Sequence, residues 1–239
     1  MNELLSDIVR AHGGFSRWRA LDRVEATIVT GGGLWAMKGL VQDPNQRRMT
    51  VQLHQQSASL HPFGDPDWRT EFTPDRIAIV RSDGGVVAER DDPRAAFAEH
   101  DMHTPWDALH RAYFNGYALW TYLTTPFLLT MDGTQVTEGQ PWTEGSETWR
   151  VLRARFPGSI ATHSAQQVFF FGADLLLRRH DYNVEVAGGF AAAQLMYDYI
   201  EADGIRLPSR RRAYLRGTDS LPSLDPLLVS IDISEVRFS

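Results

Sequence analysis

The residues best equipped for chemistry gather in one stretch, Trp149 to Val186, which holds His163, Ser164, Gln167, Arg178, Arg179, His180, Asp181 and Tyr182. His180 beside Asp181 supplies half of an acid-base relay, histidine being the side chain that titrates near neutrality. His163 beside Ser164 supplies the parts of a nucleophile pair. Sequence neighbours on a strand point to opposite faces, however, so neither pair orients itself. A glycine-flanked serine elbow is missing as well. His100 and His103 flank Asp101, but two imidazoles leave a zinc ion short of ligands, so no metal site is assigned. Gly31, Gly32 and Gly33 lack the lysine and Ser/Thr of a nucleotide loop and read as a loose hairpin turn. No catalytic residue and no cofactor follow from these motifs.

Binding chemistry is better represented. Arg210, Arg211 and Arg212 form the one basic cluster. On a strand Arg210 and Arg212 face one way and Arg211 the other. The plain reading is a solvated face that protects a sheet edge. The functional reading puts Arg212 at a cavity mouth, against an anionic headgroup. The aromatic residues Trp106, Tyr113, Tyr117, Trp120, Phe169, Phe171, Tyr197 and Tyr199 serve equally as core or as ligand lining. Their tyrosine hydroxyls need partners when buried, which a roomy cavity with ordered water provides. These eight residues and Arg212 are the candidate ligand-binding set.

The elements that must position them are mainly strands. Leu152, Ala154 and Phe156 alternate with charged residues, Pro157 and Gly158 break the run, Ala165 to Phe171 resumes it, and Leu175 to Val186 follows a second turn. Upstream, Leu4, Leu5, Ile8 and Val9 recur at helical spacing before Gly13 and Gly14. Val24 to Thr30 reads as a strand, Trp35 to Val41 as its return, and Arg48 to His54 as a third. Ile77 to Val80 and Val86 to Glu89 flank Asp83 and Gly84, a strong hairpin signal. Thr104 before Pro105 predicts a helix start, and Trp106, Leu109, Tyr113, Tyr117 and Trp120 carry an aromatic stripe onward to Pro126. Asn115 and Gly116 leave open one helix or two with a kink. Downstream, Ala193, Leu195, Tyr197 and Tyr199 share a face, Pro208 marks an edge or bulge, and Val229, Ile231 and Ile233 alternate with polar residues. Eight to eleven strands, roughly, follow from the runs, enough for a twisted sheet to curl towards a barrel.

Composition bounds the class. With 239 residues, 43% hydrophobic and 23% charged, the chain reads as a single globular domain, 1–239. A net charge of -6 lacks the basic field that nucleic acid rewards. Absence of cysteine removes disulfides and thiolate chemistry. No run is long and apolar enough for a spanning helix. Glu3 and Asp7 stand where a signal peptide needs basic and apolar residues, which predicts a cytoplasmic protein.

The second half, with the order helical insert, WRVLRARFP, IATHSAQQVFFF, GADLLLRRHDY, YDYIEADGIRLPSRR and LLVSIDISEVRF, resembles uncharacterised bacterial proteins allied to the periplasmic lipoprotein-carrier fold. The resemblance spans Thr104 to Phe238 in element order. It implies a β-rich α+β fold, an open and strongly curved antiparallel sheet with helices on its concave side, and room for acyl chains. The expected function is binding of an apolar or acyl small molecule or lipid in a half-barrel cavity. Two alternatives stand beside it: an enzyme using His180, Asp181 or His163 in that cavity, and a structural protein whose hollow is a filled core.

Overall fold

The computed structural model describes residues 2–239. Alternating apolar and polar residues build strand after strand. The first group is β1 (Arg23–Gly31), β2 (Arg47–Gln52), β3 (Ala58–His61), β4 (Trp68–Phe72), β5 (Arg76–Arg81) and β6 (Val86–Asp91). The second is β7 (Gln135–Glu138), β8 (Trp142–Glu144), β9 (Glu147–Arg155), β10 (Gln166–Phe171), β11 (Leu177–Val184), β12 (Phe190–Ala202), β13 (Ile205–Arg216), β14 (Pro222–Ser223) and β15 (Val229–Phe238). All join one sheet in the order β6-β5-β4-β3-β2-β1-β15-β13-β12-β11-β10-β9-β7, with β14 added to β13 and β8 to β9. The expected eight to eleven strands thus become 15. The extra ones are short, such as β3, β8 and β14, and too brief to show a period.

The last strand is the seam of the architecture. Thr30 of β1 faces Ile231 of β15, and Arg211 of β13 faces the same Ile231 from the other side. β15 therefore joins the two halves of the chain, while β6 and β7 remain as edges and the sheet stays open. Pro208 pairs with Tyr199 of β12 and lies outside the stretch of β13 that meets β15, so its missing N–H costs no ladder bond to β15.

Two sequence expectations change here. Leu34–Met37 is a short helix, α3, where a return strand was expected, because Leu34, Ala36, Met37 and Lys38 are good helix formers and Gly39 ends the turn at φ 69°. The glycines before it serve close approach: a Cβ on Gly32 would stand 2.3 Å from the Leu228 carbonyl oxygen. The preceding helices are α1 (Glu3–Ala11), with Leu4, Leu5, Ile8 and Val9 buried, and α2 (Phe15–Arg19), whose Trp18 stacks on Phe127 at 4.0 Å.

The central helix α4 (Ala108–Thr124) begins later than Thr104 because Asp107 is the better cap. Its carboxylate accepts from the His110 amide at 2.8 Å, and its own amide donates to His110 Nδ1. Thr104 is already engaged with Asp101. From Ala112 to Thr124 every residue is buried, so α4 fills the hollow of the curved sheet as a core helix. It is one continuous helix through Asn115 and Gly116. Gly116 is required by packing, since a Cβ there would lie 2.4 Å from the Phe72 ring.

Candidate functional site

The concave side holds a polar network set in apolar packing. Alternation on β11 turns His180 and Tyr182 inward, and the loop before β10 brings His163 beside them. The Tyr122 hydroxyl is 2.6 Å from His163 Nε2 and 3.2 Å from the Tyr182 hydroxyl, while Tyr117 reaches His163 Nδ1 at 3.3 Å. A neutral imidazole satisfies all three if Nδ1–H donates to Tyr117 and Nε2 accepts from Tyr122. Burial, then the charge of Arg94, brings the His163 pKa down to about 3. His180 donates through Nε2 to Gln167 Oε1 at 2.6 Å and, again by burial, lies well below its ordinary value. Burial raises Tyr117 and Tyr182 well above theirs.

Arg211 brings a cation to this network. Arg211 is 1% exposed, donates to Gln194 Oε1 at 3.0 Å and to the Tyr122 carbonyl at 2.8 Å, and lies over the Tyr122 ring. Burial lowers its pKa to about 10, which leaves it charged at neutrality. This corrects the expectation for Arg212, whose guanidinium donates to Asp232 Oδ1 at 2.7 Å across to β15. The two differ by one position on a strand, and one position reverses the face.

The other candidates divide. Tyr113, Tyr117, Trp120, Phe169 and Phe171 are buried in the main core, with Trp106 packed on Phe97 and Phe114 at its rim. Trp120 uses its indole N–H on the Gln52 and Gln55 carbonyls, and Phe169 stacks on His180 at 4.2 Å. Tyr197 does not face the interior: it is 41% exposed. Asp198 next to it takes φ 54°, which breaks the alternation, so Tyr199 turns away from Tyr197 and donates to the Leu177 carbonyl at 3.1 Å.

The sheet separates His180 from Asp181. Asp181 lies on the outer side in a bidentate pair with buried Arg179, at 2.6 and 2.7 Å, while His180 points inward. The Ser164 hydroxyl donates to the Gln166 carbonyl. Among the described residues no group of three or more His, Asp or Glu side chains converges as a metal site.

What remains is a seam. α4 lies closest to β2–β6. Its other flank, Phe114, Asn115, Ala118, Leu119 and Tyr122, faces Tyr182, Val184, Ala192, Ala213 and Ile231 of the second half of the sheet. Free space along this seam is about 30 Å³, room for about one water. Asn115 is 5% exposed and its Nδ2 has no acceptor. Sequence reasoning missed Phe114, Asn115 and Tyr122, because a stripe at spacings of three and four describes one face, whereas α4 is apolar all round.

No protein-family model and no curated protein sequence matches the chain. Solved structures do share its fold. A DUF1329 family protein from Desulfovibrio piger matches with a TM-score of 0.55 at 10% identity, over 99% of this chain and 92% of that one. A LolA-superfamily protein from Nitrosomonas europaea matches with a TM-score of 0.55 at 9% identity over 99% and 92%. A putative outer-membrane lipoprotein-sorting protein domain from Vibrio parahaemolyticus gives 0.55, 10%, 99% and 91%. The fold is thus the open, curved antiparallel half-barrel of the lipoprotein-carrier type, and the likeness runs through nearly the whole chain rather than its second half alone. The expected cytoplasmic location is overturned by these neighbours, one of which is a putative outer-membrane lipoprotein-sorting protein domain. Glu3 and Asp7 belong to the folded, core-packed α1 and so carry no information about compartment.

Proposed function

We propose that the protein binds an apolar or acyl small molecule between α4 and the second half of the sheet. The observation that carries this is the asymmetry of α4. On one side Gly116 is pressed onto Phe72, and on the other an apolar seam faces β11, β12, β13 and β15. Such a seam parts by moving one helix flank without breaking sheet pairing. In the closed form it is nearly full of side chains, so entry of an acyl chain requires α4 or its aromatic side chains to move aside. The unpaired Asn115 amide offers a donor to an ester or carboxyl oxygen within an otherwise apolar lining. The lipoprotein-sorting and LolA-superfamily fold neighbours support the reading by shape alone.

Mass spectrometry of small molecules released from protein purified without detergent tests the proposal. Recovery of a stoichiometric amphiphile, reduced in Asn115→Leu, supports it. A second reading, a structural protein with a filled core, draws on the small free volume of the seam. Failure of both variant and wild type to release or take up any amphiphile would favour that second reading.

A further inference from the structure

The groove at the outer end of the seam holds two arginines that the protein itself leaves unsatisfied. Alternation on β2 turns Arg47 inward with Met49 and Val51, and Arg47 is 2% exposed. Its Nη2 donates to the Thr30 hydroxyl, but Nε has no partner. Arg111, from the first turn of α4, lies over the Trp35 ring at 4.8 Å and donates through Nη1 to the Val41 carbonyl at 3.0 Å. Its Nε and Nη2 are buried and unpaired. Burial lowers the pKa of Arg47 to about 10, and the positive charge of Arg111 adds to that lowering. Two like charges held together with three unsatisfied guanidinium nitrogens are costly unless an anion completes them.

Among the described residues no carboxylate hydrogen-bonds to either guanidinium. Asp43 is the carboxylate that acts on both arginines, yet its Oδ1 accepts from the Asn45 amide within its own turn. Asp65, also on the groove wall, accepts from the Asp67 amide. The groove has a volume of about 500 Å³, and Leu40, Val41, Pro62, Phe63 and Pro66 make its walls apolar. Gln42 Nε2 donates to the Thr30 and Asp43 carbonyls, which orients its Oε1 as a buried acceptor without a donor. An oxyanion that also carries an O–H, as a phosphate monoester does, complements both the donors and this acceptor.

We propose that Arg47 and Arg111, with Gln42, form a binding site for a phosphate-type oxyanion, either the head of an amphiphile or the free ion. Thr30 and Trp35 line both this groove's arginines and the seam, so a head held here directs its tail along the apolar walls towards α4. Only that tail direction rests on the amphiphile reading; the oxyanion contact stands on the arginines. The site differs from the Arg212 mouth expected from sequence, since Arg212 is committed to Asp232.

Calorimetry with dodecyl phosphate, dodecanol and inorganic phosphate, on the full chain and on Arg111→Gln, tests it. Dodecyl phosphate should bind the wild type about tenfold to a hundredfold more tightly than dodecanol, the range that charge-assisted hydrogen bonds supply. Arg111→Gln, at a half-buried position, should erase most of that preference while leaving dodecanol unchanged. Arg47→Gln should do the same where its melting profile shows a folded protein. Saturable inorganic phosphate binding that is lost in Arg111→Gln, with neither chain compound bound, supports a free-ion site and removes the amphiphile reading. Equal affinity for dodecyl phosphate and dodecanol, with no phosphate binding, overturns the oxyanion site and leaves the amphiphile reading standing. An anion preference that survives Arg111→Gln overturns the assignment to these residues.

Discussion

The Tyr122 hydroxyl meets His163 Nε2 at 2.6 Å, inside a protein interior where the imidazole has no charged partner to stabilise its protonated form. The folded-state pKa of His163, about 3, lies below the ordinary 6.5. In that interval the unfolded chain binds the extra proton, so this contribution to stability is whole above pH 6.5 and declines as the pH falls towards 3. Each pH unit in the window costs about 1.4 kcal/mol for one such group. His12, lowered to about 4 by burial, and His180 act in the same direction. Urea unfolding between pH 7.5 and 4.5, roughly the upper part of that window, should show steep loss of stability. His163→Gln should flatten the slope, and an unchanged slope would show that the network titrates elsewhere.

Gly116→Ala is expected to destabilise the protein by about 1–3 kcal/mol or more, because the added methyl meets the Phe72 ring and Cβ. In an unconstrained helix the same change stabilises by about 1 kcal/mol. The sign of the shift in melting temperature therefore decides whether α4 is clamped onto β4.

Arg179→Met should cost about 3–5 kcal/mol, since it leaves the Asp181 carboxylate buried with only Arg216 nearby. Arg216 stands 3.5 Å from Asp181 in the present arrangement. Replacing Asp181 by Leu in the same chain should restore much of the loss in denaturant titration. Without that recovery the defect lies in lost packing against Trp142 and Phe170, which the guanidinium also covers.

Much of the fold was legible because period-two alternation survives in β1, β2 and the Ile231–Ser234 part of β15, and because Asp83-Gly84 and Pro126 are unambiguous punctuation. Short strands such as β3 and β8 carry too few residues to display a period. α3 reads as a strand in sequence because a few helix-forming residues between glycines look equally like a strand between turns. The candidate site was legible only as a composition. Which of three adjacent arginines points inward depends on register, and the break at Asp198 that parts Tyr197 from Tyr199 has no signature in residue type. Arg47 and Arg111 are 64 positions apart and meet only because β2 and α4 pack together.

Ending the chain at Asp225 removes β15 and with it the pairing between β1 and β13. Loss of Ile231, Ile233 and Phe238 from the core adds roughly 1.5–3 kcal/mol for each buried side chain. That sum rivals a whole domain's margin of about 5–15 kcal/mol. The truncated protein should be insoluble or lack a cooperative melt; cooperative unfolding near the full-length temperature would mean that the two halves hold without it.

The central claim is that the seam beside α4 opens to an acyl chain, and calorimetric titration with straight-chain alcohols of increasing length tests it most directly. The account predicts saturable one-to-one binding whose affinity rises about fourfold per methylene, the equivalent of about 0.8 kcal/mol, until the seam is full. No saturable heat at any chain length would contradict it.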